Sequence, residues 1–326
     1  IEYLYFQNNF SQNQIISGIE KIKPGSFIVY DVSKNRFEED FYWDWPLGVY
    51  TEAISNFDLE SILDLTIRSQ SEPHLVSSLG LSAGIDSSLM AFSLKRQGIP
   101  FHSYTIGYPN DSEHFFDESR DAQSLAAALD IPWHLVSVDS QLFFKKYQET
   151  VAALNEPRVG QSVINFLLNC EAAKAHKIHF VGTGADEIFG GYPWRYPIGV
   201  QYQSFDYSQS VYFILNAWKK FGSLNEIASL LHFDFHFVEE VCQKAIGNIL
   251  SGFSGDYESP VGMIQASMYF EFKTFLPGLL NVEDKLAMSQ SMEVRAPFTS
   301  NAFLDVSSKI SPLDLFIHDD GHFHGK

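Results

Sequence analysis

The ten residues Leu79-Gly80-Leu81-Ser82-Ala83-Gly84-Ile85-Asp86-Ser87-Ser88 join two kinds of local pattern. The apolar run 76–81 reads as a buried strand, and 87–97 reads as the helix that follows it. Between them stand small residues, two hydroxyls and a carboxylate. Small side chains let backbone N–H groups close on an anion, and a helix N-terminus adds positive partial charge. Asp86 repels a phosphate unless a divalent metal sits between the two, which suits the turn to a metal–phosphate complex. An ordinary strand-to-helix turn capped by serine accounts for the same residues, and both readings stay open on this stretch alone.

Outward from the turn, strand-like and helix-like patterns alternate. Strands are expected at 76–81, 101–106, 134–138 and 178–181, and helices at 61–70, 87–97, 118–129, 141–154 and 163–176. This alternation predicts an α/β fold, a doubly wound parallel sheet with helices on both faces, which binds ligands beyond the carboxyl ends of its strands. Past Tyr196 the strand signal fades, and helices are expected at 209–221, 224–231, 237–249, 263–279 and 302–309. At the other end, 27–31 and 37–43 read as strands joined by a polar turn at Ser33-Lys34-Asn35. That is too little for an independent fold. Residues 1–50 therefore read as the tail of a β-rich domain, and 51–326 as the principal domain.

Composition narrows the ligands. The 326 residues are 45% hydrophobic and 19% charged, as expected of a globular chain with an ample core. With 22 Lys and Arg against 40 Asp and Glu, the net charge of -18 argues against nucleic acid as a partner. A polyanionic ligand must be held locally, by N–H groups, a metal and a few cations. No apolar run reaches membrane-span length and the first residues do not read as a signal peptide, so no membrane partner is expected. Cys170 and Cys242 lie far apart without metal-ligand spacing, and read as buried small residues in a reducing, cytoplasmic compartment.

Two further segments carry chemistry. Gly182-Thr183-Gly184-Ala185-Asp186-Glu187-Ile188-Phe189-Gly190-Gly191-Tyr192 follows the fourth strand, with glycines that permit close backbone approach and acids that begin a short helix. A second turn ending in Asp at the same sheet edge suits Mg²⁺ holding a triphosphate, since that ion takes hard oxygen ligands. Val282-Glu283-Asp284-Lys285-Leu286-Ala287-Met288-Ser289 and Met292-Glu293-Val294-Arg295-Ala296-Pro297-Phe298 form the third segment. Glu293 and Arg295 are expected to make a buried ion pair at the domain junction. Tyr192, Trp194 and Tyr196 are expected to pack after the second segment. His318, His322 and His324, with Asp319 and Asp320, suit either a metal or, preferentially, a mobile polar loop over the site.

In this order the three segments resemble the synthetase domain of the asparagine synthetase family. The first is similar to its Ser-Gly-Gly-x-Asp-Ser pyrophosphate loop, shared with ATP pyrophosphatases of the adenine nucleotide alpha hydrolase type. The second is similar to its Gly-x-Gly-x-Asp-Glu-x-Phe-Gly-Gly-Tyr segment, and the third to its Asp-(Lys/Arg)-x-x-Met…Glu-x-Arg-x-Pro-Phe stretch. Residues 2–7 and 18–25 resemble the tail of the family's N-terminal glutaminase domain. That domain's cysteine nucleophile has no counterpart in this sequence.

The resemblance implies that Ser82, Gly84, Asp86 and Ser87 hold the β- and γ-phosphates of ATP. It further implies that Asp86 and Asp186 bind Mg²⁺, that Gly182 lies close to the nucleotide, and that Leu81, Ile106 and Gly107 line adenine and ribose. Catalysis would rest on Asp86, Asp186 and a C-terminal lysine; Gly325-Lys326 matches the start of the family's pattern there, although a terminal lysine is equally at home as a solvated tail. The implied reaction is AMP- and pyrophosphate-forming amide synthesis, asparagine from aspartate, with ammonia from glutamine. The implied partners are a small-molecule carboxylate and a homodimer mate, or a separate glutaminase domain or subunit. Three departures stand out: Ala83 in the glycine loop, Thr183 where an acid is usual, and Thr299-Ser300 after Pro297-Phe298. Thr183 keeps open another acceptor, such as a sugar acid, peptide side chain or lactam precursor. The missing cysteine and Thr183 also keep open a non-catalytic nucleotide-binding subunit.

Overall fold

The computed structural model describes residues 1–8, 10, 16–49, 59–108, 117–156, 162–196, 206–219, 222–319 and 322–325; for 260, 313, 316–319 and 322–325 only the backbone is described. In chain order the elements are α1 (Glu2–Phe6), β1 (Ser26–Asp31), β2 (Arg36–Phe41), α2 (Leu59–Gln70), β3 (Ser77–Gly80), α3 (Ile85–Arg96), β4 (Phe101–Gly107), α4 (Ser119–Ala128), β5 (Trp133–Ser137), α5 (Ser140–Leu154), α6 (Ser162–Ala172), β6 (Ile178–Phe180) and α7 (Ala185–Phe189). There follow α8 (Tyr207–Ala217), α9 (Leu224–Leu231), α10 (Phe235–Leu250), α11 (Pro260–Met288), β7 (Glu293–Arg295), α12 (Asn301–Ser307), β8 (Phe316–Asp319) and β9 (His322–Gly325). Two compact units result, each drawn from separated stretches. One comprises Ile1–Ile54, Phe189–Phe275 and Ser307–Lys326; the other comprises Ser55–Ile188 and Leu276–Val306.

The second unit is the α/β layer structure expected. Its five strands run in the order β5-β4-β3-β6-β7, all parallel. From β3 the chain steps outward to β4 and β5, then returns to lay β6 on the other side of β3. The reversal leaves a crevice between the carboxyl ends of β3 and β6, the place where such sheets take ligands. One face of the sheet packs Tyr104, Val136 and Val138 against Val163 and Leu167 of α6 and against Met292. The polar residues of β3 are buried as well. Ser78 Oγ donates to Ile178 O at 3.1 Å and lies 2.8 Å from His179 Nδ1, so its hydroxyl is satisfied, whereas the buried Ser77 Oγ has no hydrogen-bond partner.

β7 is the strand of this sheet that the sequence pattern does not predict. Glu-Val-Arg has no apolar run, and the segment becomes a strand by pairing Glu293, Val294 and Arg295 with Ile178, His179 and Phe180. The expected buried ion pair is corrected here. Glu293 Oε1 and Arg295 Nε are 3.6 Å apart, and the glutamate side chain is 56% exposed. Two residues apart on a strand, the side chains share one face at the sheet's outer edge, where water reaches them.

The first unit holds the helices α8, α9 and α10, the first part of α11, and the β1–β2 hairpin. The hairpin pairs Ser26 with Phe41 through to Asp31 with Arg36. Its turn is built as the polar residues suggest: Asp31 Oδ1 accepts from Ser33 N at 2.9 Å and Ser33 Oγ at 2.6 Å, while Asn35 takes φ 49°. Beyond the second segment, Arg195 stacks on Tyr192, Trp218 and Phe275 at 4.0, 4.6 and 4.6 Å and pairs with the fully buried Glu271, which also accepts from Tyr196 Oη. Two buried charges so placed are tolerable because each is paired and hydrogen-bonded. Tyr196 is buried as expected, whereas Trp194 is 74% exposed and touches Tyr192 edge-on, with ring centroids 5.5 Å apart. The cluster of His318, Asp319, His322 and His324, expected in a loop, falls on an antiparallel pair of strands, 316–319 with 322–325; Asp320 lies outside the described residues.

Candidate active site

Both acidic turns leave the sheet at its carboxyl edge, one after β3 and one after β6, its immediate neighbour. Leu81 N donates to Tyr104 O at 2.9 Å and Thr105 Oγ1 donates to Leu81 O at 2.7 Å, which fastens the start of the first turn to β4. The turn then closes on its own hydroxyls. Ser82 N donates to Ser87 Oγ at 3.2 Å, Gly84 N donates to Ser82 Oγ at 3.2 Å, and Ser88 Oγ donates to Gly84 O at 2.7 Å. Gly84 is the N-cap residue of α3. Ser82 and Gly84 are exposed, Asp86 is partly buried and Ser87 is buried. Ala83 stands at φ 63°, the left-handed region that glycine enters freely and alanine does not.

The second turn is held from within. Gly184 N donates to Glu187 Oε2 at 3.1 Å, and Glu187 is only 1% exposed. Gly184 has φ 104°, and a β-carbon there would lie 2.6 Å from Thr299 Cγ2. Thr299, read from the sequence as a capping change, thus packs against the second acidic turn, while its hydroxyl donates to Ala296 O at 2.8 Å. Asp186 occupies the first turn of α7 and is partly buried. The two turns touch: a β-carbon on Gly182 would lie 3.1 Å from Asp86 Cβ and 3.7 Å from Ser87 N. A side chain there would have to push Asp86 aside by a few tenths of an ångström.

A cavity of about 530 Å³ opens beside them, and Leu81, Ser82, Ile106 and Gly182 of the expected ligand residues line it. Gly84, Asp86, Ser87 and Asp186 stay with their turns, and Gly107 closes β4 against Ser137. Lys326 lies outside the described residues. Tyr108, Glu118, Asn165, Asn169, His179 and Glu283, which the sequence motifs do not mark as site residues, also line the cavity. Burial pushes the Glu283 carboxyl up to about 7, against the hydrogen bond Asn165 Nδ2 donates to its Oε1 at 3.0 Å. Burial, with Asp121 beside it, also raises Glu118, and burial with nearby His176 lowers His179 to about 4, keeping that ring neutral. The spacing of Glu283 four residues before the buried Ala287 was the available signal.

Asp86 and Asp186 offer two hard carboxylates on adjoining turns. Among the described residues no group of three or more His, Cys, Asp or Glu could hold a metal by itself. A cation here would complete its shell with ligand phosphates and water, which is how Mg²⁺ is commonly held, so the residues fit that ion. The thiols do not suit nucleophilic chemistry: burial raises Cys170, and raises Cys242 to about 12.

Residues 58–321 match the asparagine synthase family. The chain is 23% identical over 325 residues to the glutamine-hydrolysing asparagine synthetase 3 of Bacillus subtilis, covering 94% of this chain and 50% of that protein. It is 24% identical over 340 residues to asparagine synthetase 1 of the same organism, covering 95% and 52%. Amidase chry2 of Gibberella zeae is 28% identical over 199 residues, covering 54% of this chain and 29% of that protein. The chain thus spans about half the length of the curated Bacillus relatives it matches. No helix among the described residues is long and apolar enough to cross a membrane. The family match covers most of the sequence and includes both acidic turns of the β3–β6 crevice: the chain belongs to the asparagine synthase family.

Proposed function

We propose that this chain carries the ATP-dependent half of a carbon–nitrogen ligase, activating a carboxylate as its adenylate for attack by an amine. The observation that carries this reading is the contact of Gly182 with Asp86, which joins two acidic turns at the sheet's reversal point. A carboxylate is a poor acyl donor because its leaving group is oxide. When its oxygen attacks the α-phosphorus of ATP, pyrophosphate departs and AMP becomes the leaving group. The amine then attacks the acyl carbon and AMP is expelled.

In this scheme Ser82, Gly84 and Ser87 bind the β- and γ-phosphates through hydroxyls and backbone N–H groups. Asp86 and Asp186 hold Mg²⁺, which when bound supplies positive charge as the α–β bridging oxygen becomes anionic. Gly182 keeps the wall low beside the nucleotide, and Leu81, Ile106 and Gly107 flank its adenosine. Lys326 is assigned the same electrostatic task as the metal. With a net charge of -18, the protein cannot bind a polyphosphate by its general field, and these local groups must do so.

Aspartate is the first candidate acceptor, with ammonia delivered by a glutaminase-type domain of which residues 1–50 are the tail, or by a separate subunit, in a cytoplasmic setting. A homodimer belongs to this proposal. Thr183 in the cavity wall favours a second reading: it places a hydroxyl where the family usually carries an acid, which suits a different carboxylate. Isotope exchange between pyrophosphate and ATP, run over a panel of carboxylates with ammonium or glutamine, tests both. Exchange with aspartate supports the first, and exchange with another acid alone supports the second. Exchange with none would reduce the chain to a nucleotide-binding subunit.

A further inference from the structure

One wall of the cavity is polar in a way the phosphate chemistry does not use. Asn169 of α6 is only 1% exposed, yet its Nδ2 has no hydrogen-bond partner. A buried amide donor left unpaired is costly, which makes it a place where a ligand acceptor belongs. One helical turn earlier, Asn165 donates to Glu283 Oε1, and among the described residues this is Glu283's one hydrogen bond. Asn165 and Asn169 share a face of the helix, and both line the cavity with Glu283. Leu81, Ile106, Ile164 and Leu168 add apolar surface to the same cavity, whose other lining includes Tyr108, Glu118, His179 and Thr183. No Lys or Arg stands among its lining residues, so this part is not built for an anion.

Apolar flanks with a hydrogen-bonding edge suit a flat heteroaromatic ring better than a polyol, which carries polar groups on every side. We propose that Asn169 and Glu283 read the edge of the nucleobase: Asn169 Nδ2 donates to a ring nitrogen, and the Glu283 carboxyl accepts from the exocyclic amine. The proposal deepens the nucleotide reading above and rests on it. The pair is specificity-determining, because a base lacking the amine leaves a buried carboxyl oxygen unpaired.

The test is equilibrium binding of Mg-ATP and of purine riboside 5′-triphosphate, which lacks the amine, to the purified chain. Wild type is expected to bind ATP about tenfold more tightly than the amine-free analogue. Glu283→Ala is expected to bring that ratio close to one, and Asn169→Ala to weaken both nucleotides about tenfold with pyrophosphate binding unchanged. If Asn169→Ala does not fold, the wild-type ratio and its loss in Glu283→Ala still decide the matter. Equal binding of both nucleotides by wild type overturns the inference. So does unchanged nucleotide binding in both variants, including the case where the KM of the acceptor carboxylate moves instead. If wild type binds ATP in any of these cases, the ligase reading survives; if it binds neither nucleotide, both fall.

Discussion

The two acidic turns sit side by side on adjacent strands and are held in opposite ways. The turn after β3 is tied by its own exposed or partly exposed hydroxyls, and tolerates an alanine in the left-handed region. The turn after β6 is clamped by the buried carboxyl of Glu187 and closed from outside by Thr299. A loop that hydrogen-bonds to itself can exchange those bonds for a ligand's oxygens at little cost. A loop anchored to a buried acid is held more firmly. The comparison shows that neighbouring turns of similar sequence can be held by surface hydroxyls in one case and by a buried carboxyl in the other.

The largest effect is expected from removing the clamp. Glu187→Ala should cost about 3 kcal/mol by leaving Gly184 N–H unpaired and a void in the core; thermal unfolding measures it. Glu187→Gln, which retains an acceptor, should recover most of that loss. A matching drop for Ser82→Ala would erase the distinction between the turns. Next comes Gly184→Ala, which forces a side chain to φ 104° and into Thr299; a loss of about 2 kcal/mol is expected. Thr299→Ser in the same chain should return only the steric part.

The buried acids of this unit can be separated by pH. Glu283 has a folded value of about 7, above the ordinary carboxylate value of 4.5. Its neutral form is therefore favoured by folding, and its contribution is complete below about pH 4.5 and declines as pH rises through about 7. The melting temperature should fall by a few degrees across that window, and Glu283→Gln should remove that component of the slope. The smallest effect is the relief of strain in the adaptable turn. Ala83→Gly should stabilise by about 0.5 kcal/mol, since removal of the left-handed penalty is partly offset by the greater freedom of glycine when unfolded. Destabilisation instead would mean that the alanine methyl is packed.

Much of this was readable in advance, and the misses have physical reasons. β3 to β6 fall within two residues of their expected ends because apolar runs bounded by Gly, Pro and acids are local signals. α9 matches its expected span because Ser223 and Glu226 form a capping box, with both reciprocal bonds present. α11 runs nine residues past its expected end at 279 and through Pro277, absorbing the start of the third segment. That extension puts Lys285 within reach of the 154–156 end of α5, where Nζ donates to Leu154 O at 2.9 Å and pairs with Glu156. Pro277 already lay inside the expected span, so the miss is the acidic stretch 280–288, whose helix is decided by packing rather than by local propensity. In the candidate site, the turns themselves were legible because their chemistry is contiguous in sequence. Asn165, Asn169 and Glu283 were not, since a wall assembled from α6 and α11 joins residues 118 positions apart.

From its residues alone this chain specifies a parallel α/β layer, two Asp-ended turns at one sheet edge, and a charge balance that excludes binding by a general positive field. Those follow from periodicity, small-residue spacing and composition, all of which act over a few neighbouring residues. Tertiary structure alone decided that β7 joins the sheet, that Gly182 brings the turns into contact, that Glu187 is a buried clamp, and that an unpaired amide faces the cavity. Each of these depends on which distant groups exclude water from one another, and burial of that kind is a property of the packed chain rather than of any segment within it.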